Sequence, residues 1–534
     1  MPSKSDMAQL AKAVGGELGK KPGQQRLSAE FMRDIGAGLA DTGGAVQVIG
    51  GIFAEARRQR PSGATLNGYA FMLTAALDAL RLGASGGRAS ARDDIAKAQA
   101  MVGQEVAKGV PSPDVLMLVA RAFAQAELDP GRALQDATMA MMDAGPPPDD
   151  AEGGRGSLAG QLEHIAQALG NDPFTIYDEM SSSAAAIPPE QRSEIAAAFL
   201  ASGNPAVREA ALGFAFAREP VTSTAALAAW AHVPPGQPVS SRMVERLVRM
   251  RPWVSPGRQI AVDAAVRALR PRAAAPVKAP RPDVVRVLAS MCDGSGAQTM
   301  FALVKQDRRF ALASVLLKTN GGVADAWVHG DMRKPEANGM VEHIINESDG
   351  VEVSIGLFER RLADVLAINV AQDTPPPFGL LHVVETLGLG PVHPETVAPA
   401  SLAVTLLADQ PETKKGAAAV KSALRASDDW PFLYPTVKSW FEAGEAVERL
   451  LKPLKTREAR LAAVMTQLLP ARRGFWAERC AWTAAILKEP SKRNRAPWID
   501  FALVAGEWAG ERPLDAIPLA RRIAETTVEA FAHR

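Results

Sequence analysis

The chain has 534 residues, of which 47% are apolar, 22% charged and 5% aromatic. This is the composition of an ordinary globular protein with a substantial core, and abundant Ala with few aromatic residues favours helices over a β sandwich. The length corresponds to about three or four domains or one long repeat array, and the net charge of +1 indicates no particular partner.

The number of cysteines and the hydropathy pattern indicate the cellular compartment. Cys292 and Cys480 are too few for a disulfide framework or a zinc site, so we expect two reduced thiols. Residues 1–21 lack the continuous apolar stretch of a secretion signal, and no segment approaches the ~20 apolar residues that span a bilayer. The sequence therefore predicts a cytoplasmic protein that does not partner with a membrane.

The N-terminal part divides into an arm, a helical region and a linker. Residues 1–27 lack strong periodicity, which predicts a flexible arm. Apolar residues then recur at helical spacing, and Gly and Pro punctuate the ends, so 28–144 is predicted to form helical hairpins. Residues 145–156 read GPPPDDAEGGRG, which cannot hold a helix and predicts a linker.

Helical periodicity resumes over 157–272, and part of it carries a recognisable turn. Asn204 is placed to cap a helix, Pro205 suits its first turn, and Val207, Ala211 and Leu212 would form the packing face. On these residues, 188–218 resembles a HEAT-type α-helical repeat. The resemblance implies α-solenoid stacking and implies no particular activity.

The pattern changes over 273–355, which we interpret as a linker followed by a small α+β element. Two apolar runs flank Asp307-Arg308 and predict a β-hairpin over 299–318, with a helix as the alternative. Both faces of the runs are apolar, so we expect helices to cover the hairpin. Alternation from Val351 to Ile355 would add a third strand.

The remainder, 356–534, is predicted to be helical, including one helix over 431–452 and another over 455–488 that is interrupted at Pro470. Six of the nine tryptophans fall here, and their spacing favours core anchors over a ligand cage: Trp430, Trp440, Trp476, Trp482, Trp498 and Trp508. The predicted fold is mainly α, with stacked antiparallel helical hairpins (α-solenoid-like) and a small β-hairpin insertion.

No catalytic signature stands out. There is no P-loop, and Gly36-Ala37-Gly38 follows no predicted strand, so no nucleotide or other cofactor is predicted. Ser295 lacks the context of a nucleophile elbow. We predict no metal site, since the histidines are scattered. His329 and Asp331 in a loop-like stretch, with His343, would be the places to look for an enzyme site assembled from distant elements.

Charge is distributed unevenly. Residues 242–286 hold eleven basic and three acidic side chains, a local net charge of +8, and 452–495 repeat this balance. Arginines along a helix face can neutralise phosphates, and as the alternative they pair with acids elsewhere in the fold. The candidate anion-binding residues are Arg242, Arg246, Arg249, Arg267, Arg270, Arg472 and Arg473.

The predicted function is a helical-repeat scaffold or adaptor whose partner is another protein. Binding of a nucleic acid or another polyanion through the two basic segments is the alternative, and an enzyme is a third class. The sequence specifies no small-molecule ligand.

Overall fold

The structure is a computed structural model. It describes residues 4–19, 29–85, 88–110, 112–126, 128–143, 158–184, 187–231, 233, 239–275, 282–348, 350–489 and 497–532. The chain forms two compact units, Met1–Ala211 and Leu212–Arg534. The predicted breaks near 150 and 277 do not separate these units. An ion pair between Arg121 and Glu179 joins helices on either side of the first break, and the predicted linker 145–156 itself lies outside the described residues.

The first unit is helical throughout its described part. Its helices are α1 (Lys4–Leu18), α2 (Ala29–Asp41), α3 (Gly44–Ala56), α4 (Gly63–Ser85), α5 (Ala89–Ala107), α6 (Pro113–Gln125), α7 (Arg132–Asp143), α8 (Leu158–Ala168), α9 (Pro173–Ala184), α10 (Pro189–Ala201) and α11 (Pro205–Ala210).

The predicted flexible arm is wrong for most of its length, because α1 is a packed helix. Ala11 is fully buried in the core of the first unit. A Cβ added to Gly68 on α4 would lie 1.8 Å from the carbonyl oxygen of Ala11, so the two helices cross with their backbones in contact. The weak periodicity of α1 hid a helix that packs through small residues rather than through a broad apolar stripe.

The turn that carries the HEAT-type resemblance has the predicted local geometry. The Asn204 side chain accepts a hydrogen bond of 2.9 Å from the Ala206 amide, and Pro205 begins α11. Val207, Ala211 and Leu212 are each fully buried. The capping and the apolar face are therefore confirmed, whereas repeat stacking stays a prediction.

The second unit contains the remaining helices and all the strands of the described residues. The helices are α12 (Leu212–Ala215), α13 (Pro220–Ala231), α14 (Ser241–Met250), α15 (Pro256–Leu269), α16 (Lys334–Glu347), α17 (Ile355–Ala371), α18 (Gly379–Leu387), α19 (Pro399–Leu407), α20 (Glu412–Lys415), α21 (Ala417–Ala426), α22 (Trp430–Leu433), α23 (Pro435–Lys438), α24 (Glu445–Leu451), α25 (Arg457–Ala463), α26 (Arg473–Lys488), α27 (Trp498–Ala509) and α28 (Pro518–Ala532). The strands are β1 (Asp283–Ala289), β2 (Ala297–Gln306), β3 (Arg309–Lys318), β4 (Gly322–Met332) and β5 (Val351–Glu352).

The strands form one antiparallel sheet in the order β4-β3-β2-β1-β5. The predicted hairpin is confirmed as β2 and β3, which turn at Asp307 in the left-handed region with φ of 53°. A short strand at Val351 is also confirmed. β1 and β4 were not predicted, and the loop expected around His329 is wrong, because His329 pairs with Leu312 of the neighbouring strand.

Helices cover the sheet, as the apolar faces of its central strands predict. α16 packs its Val341 and Ile344 onto Leu303 and Leu312, while α17 and α18 pack against β3 and β4. β4 is an edge strand, yet two of its amides are occupied. The Val323 amide donates to Asn369 and the Ala326 amide to Asp325, which leaves a shorter edge open to pairing.

The C-terminal helices surround a core rich in tryptophan. Five of the six tryptophans predicted as core anchors are at most 2% exposed, and Trp498 is the exception. The single helix predicted over 431–452 is wrong: α22, α23 and α24 replace it, because Pro431 and Pro435 start new turns and Gly444 adopts a φ of 109°.

The turn between β1 and β2 is inserted among these helices. The Gly294 amide donates a 3.0 Å hydrogen bond to the Ser439 hydroxyl, and the Trp440 indole donates one of 3.0 Å to the Cys292 carbonyl. A Cβ on Gly294 would lie 1.7 Å from the Ser439 carbonyl oxygen. Glycine is therefore required where the sheet meets the C-terminal helices.

We predict that Gly294→Ala lowers the free energy of unfolding by more than about 3 kcal/mol, because the added methyl meets backbone rather than a movable side chain. Gly474→Ala is the matched control. Gly474 lies in α26 with open space around it, and alanine has a higher helix propensity than glycine, so this substitution should not destabilise the fold. Urea unfolding followed by circular dichroism measures both variants. Equal stability of the two would contradict the described junction.

Candidate functional site

The first basic segment does not present the predicted arginine stripe. Arg246 is 2% exposed and makes a bidentate ion pair with Glu385, with bonds of 2.7 and 2.8 Å. Arg258 is also buried and pairs with Asp373 at 2.9 Å. These arginines hold α14 and α15 against later helices, so the prediction that Arg246 binds an external anion is wrong.

The second basic segment is also largely engaged within the fold. Arg472 pairs with buried Glu442 at 2.9 Å, and Arg473 donates to the carbonyls of Gly510 and Arg512. Both guanidinium groups are partly occupied within the fold, and anion binding by them stays a prediction. Lys492, Arg493 and Arg495 lie outside the described residues.

Three predicted arginines lie at one end of the α14–α15 hairpin. Val239 and Ala273 form a β-bridge, which places the start of α14, where Arg242 lies, beside the end of α15, where Arg267 and Arg270 lie. All three are exposed, and in the part of the chain that the structure describes none makes an ion pair within 4 Å. We call them the arginine cluster. Arg249 lies two helical turns away along α14.

The remaining sequence candidates do not assemble into a site. His329 and Asp331 are exposed on β4, and Asp331 pairs with Arg309 at 3.3 Å. His343 is exposed on α16. Among the described residues no group of three or more His, Cys, Asp or Glu side chains is arranged to hold a metal ion. Likewise, no described helix is long and apolar enough to cross a membrane.

A buried charge network that the sequence did not reveal joins the sheet to the C-terminal helices. Arg361 on α17 donates to Asp364 at 2.6 Å, to Glu478 at 3.2 Å and to Gln298 at 3.0 Å. Its guanidinium lies 4.6 Å from the ring centroid of Trp482. The donors and acceptors satisfy one another, which indicates a structural role.

A second buried arginine completes the junction. Arg479 donates to the carbonyls of Asp293 and Phe475 at 3.0 Å each, and thus holds the β1–β2 turn. Burial raises the pKa of the Cys292 thiol beside it, and burial also raises the pKa of the Cys480 thiol. Both cysteines are free, as predicted. Both are also buried, and neither is poised as a thiolate nucleophile.

The most exposed apolar feature of the C-terminal helices is the segment 430–435, sequence WPFLYP. Trp430 is buried and stacks on Phe501 with ring centroids 3.8 Å apart. Phe432 is 75% exposed and Leu433 is 63% exposed. The segment therefore anchors one aromatic ring in the core and holds two adjacent apolar side chains in water.

The surroundings of this segment are charged and ordered. Arg522 makes a bidentate pair with Asp428 at 2.9 and 3.0 Å, and its guanidinium lies 5.5 Å from the ring centroid of Phe432. A polar rim around an apolar centre is typical of protein interfaces. The sequence signal for this site was the pair Pro431 and Pro435. The apolar run between them is too short for all of its side chains to face the core.

A groove of about 550 Å³ opens between α20, α21 and the start of α27. Trp498, the tryptophan that is not a core anchor, lines it together with Asp500, Lys414 and Ser422. The 430–435 segment lies nearby, since the ring centroid of its Tyr434 is 5.6 Å from that of Phe501, which follows Asp500 on α27.

Comparison with known proteins gives partial similarities. Residues 400–532 match the Y4lR C-terminal helical domain, and 188–273 match the Y4lR second domain. The chain is 30% identical over 254 residues to the uncharacterized protein y4lR of Sinorhizobium fredii (strain NBRC 101917 / NGR234). This alignment covers 47% of the chain and 47% of that protein, so the match spans about half of each. No solved structure matches.

Both the arginine cluster and the 430–435 segment lie within the matched segments, whereas the sheet lies between them. Neither matched description names an activity or a partner. The similarity therefore marks two regions of shared sequence and leaves the function to be argued from the surfaces they carry.

The buried network makes a prediction about pH. Burial raises the pKa of Glu478 above its ordinary 4.5, so ionising this carboxyl costs more in the folded than in the unfolded chain. The protonated Glu478 side chain makes its full contribution to stability at pH below the ordinary pKa, and this contribution is lost as pH rises through the raised pKa of the folded chain. We predict that Glu478→Gln gains stability relative to the wild type as pH rises from about 4.5 toward neutrality.

Urea unfolding across this pH range measures the difference, with exposed Glu511→Gln as the control that stays flat. If Glu478→Gln instead lost stability relative to the wild type as pH rises, the ionised Glu478 carboxylate would be stabilising the fold through Arg361.

Proposed function

We propose that this protein is a helical scaffold that binds another protein through the 430–435 segment. The observation that carries the proposal is the adjacent exposure of Phe432 and Leu433 on a segment fixed by the Trp430–Phe501 stack. Large apolar side chains in water are unfavourable until a partner covers them, and such anchors dominate the binding free energy of many interfaces.

Rigidity supports the same proposal. Pro431 and Pro435 restrict the backbone on either side of the exposed pair, and the Leu433 amide donates to the Asp429 carbonyl at 3.2 Å. A partner would therefore meet side chains whose backbone is already ordered, which lowers the entropic cost of association.

The first unit offers a further helical surface. A groove of about 430 Å³ runs between α4 and α6, lined by Phe71 and Met117 and crossed by a 3.1 Å hydrogen bond from Thr74 to Gln125. Grooves between paired helices are the binding surfaces of helical repeats. We extend the proposal to α-solenoid stacking around 188–218, and to a cytoplasmic location, which the two free buried thiols support.

We predict that Phe432→Ser combined with Leu433→Ser abolishes partner binding and leaves stability within about 0.5 kcal/mol, because both side chains are exposed. Proteins that co-purify with the wild type in its native host are identified, purified and titrated by calorimetry against both chains. Val404→Ser, at a 71% exposed valine on α19, is the matched control and retains the partner.

Undiminished affinity of the double variant for the purified partner would contradict the proposal. The control distinguishes loss of a specific contact from a general change in surface apolarity, since Val404 is about as exposed as the two side chains that are replaced.

A second candidate function, polyanion binding, is favoured by the arginine cluster alone. The β-bridge between Val239 and Ala273 holds Arg242, Arg267 and Arg270 at one end of a hairpin, and one acid on that hairpin, Asp263, is already paired with Arg251 at 2.5 Å. Exposed guanidinium groups that are fixed close together bind phosphates.

We predict that reversing the cluster with Arg242→Glu, Arg267→Glu and Arg270→Glu abolishes any shift of double-stranded DNA at low salt. In the wild type, log affinity should fall with log salt by about 0.9 per phosphate contact. The control reverses three other exposed arginines, Arg425, Arg449 and Arg521, and keeps the same net charge. An equal loss of DNA binding in both triple variants would show that only the global charge matters and would refute this function.

A further inference from the structure

Asp500 is a half-buried carboxylate in the groove between α20, α21 and α27, and it lacks a counterion. It makes no side-chain hydrogen bond or ion pair in the part of the second unit that the structure describes. Three other acids of the C-terminal region are paired: Glu478 with Arg361, Asp428 with Arg522 and Glu442 with Arg472. No described side chain therefore supplies a positive charge to this carboxylate, which lies in the first turn of α27.

The walls beside this carboxylate are apolar. Pro497, Trp498 and Ile499 precede it along the chain, and Ala418 and Ala419 face it from α21. Burial raises the pKa of Asp500, with no cation lowering it. Because hydration has been lost without a compensating charge, a cation brought to this carboxylate would gain more than it would at an exposed one.

Among the described residues, the two lysines near the groove do not fill this role. Lys488 lies 5.0 Å from the ring centroid of Trp498, but its ammonium donates to the Leu406 carbonyl at 2.8 Å. Lys414 lines the groove from α20 and is exposed, and it forms no ion pair with Asp500 within 4 Å. A free anion would be repelled by Asp500, so charge complementarity selects a cationic occupant.

We propose that this groove receives a lysine or arginine side chain of the partner protein, with its charged end at Asp500 and its aliphatic stem against Trp498 and Ile499. This inference rests on the proposed function and specifies the chemistry of the partner. The groove lies close to the 430–435 segment, since Tyr434 packs on Phe501, the residue after Asp500. Burial first, and then the charge of Asp500, raises the pKa of the Tyr434 phenol.

The two features would divide the recognition between them. Phe432 and Leu433 project outward and require an apolar pocket on the partner, whereas the groove accepts a side chain that projects from the partner. A partner that fits both would present a basic residue next to an apolar depression.

The test uses hexylammonium as the probe, because it carries the ammonium and aliphatic stem of a lysine without a partner protein. Ligand-observed saturation-transfer NMR on the full chain should detect hexylammonium, and hexanoate at the same concentration should give no signal. Asp500→Asn should weaken hexylammonium binding by about tenfold, as expected on removal of one charged hydrogen-bond acceptor. Asp515→Asn, at an exposed aspartate outside the groove, should leave it unchanged.

Each outcome decides the inference separately from the proposed function. Equal signals from hexanoate, no signal from hexylammonium, or unchanged binding to Asp500→Asn would overturn it. Thermal unfolding of Asp500→Asn guards against misfolding, and the melting temperature should not fall because no described side chain depends on this carboxylate. Failure here would leave the Phe432 and Leu433 experiment intact.

Discussion

The second unit depends on two buried guanidinium groups, those of Arg361 and Arg479, each about 1% exposed. Arg361 binds two carboxylates and a glutamine side chain, and Arg479 binds the backbone carbonyls of the β1–β2 turn. A buried charge is tolerated only when its donors are occupied, so these bonds fix one relative position of the sheet and the C-terminal helices. The exposed 430–435 segment and the neighbouring groove are held on helices that this junction anchors.

The same physics explains why several arginines of the basic segments bond within the fold. Arginine can cover an apolar wall with its stem and satisfy carbonyls or carboxylates with its head. Arg246 on α14 and Arg479 on α26 do this from buried positions, and the half-buried Arg473 donates to carbonyls after α27. The local charge of +8 in each segment therefore includes arginines whose charge is used within the fold, whereas the three arginines of the cluster are exposed to solvent.

Local sequence patterns predicted the structural features that depend on residues close together in the chain. Asn204 capped its helix as expected, and the alternation on either side of Asp307 produced two paired strands. Features set by distant residues were not predictable. β4 is a strand because β3 lies beside it, and Arg246 is buried because Glu385, 139 residues later, accepts its hydrogen bonds. The exposure of Phe432 was hidden for the same reason, since an apolar residue normally predicts core.

The most direct test of the account is photo-crosslinking in the native host, with p-benzoylphenylalanine in place of Phe432. The benzophenone retains an aromatic ring at a side chain that is 75% exposed, so folding should be undisturbed. We predict crosslinking to one protein, and the same group placed at Val404 should not capture it. Crosslinks to nucleic acid alone, or the same set of proteins from both positions, would contradict a protein-binding scaffold that docks through this segment.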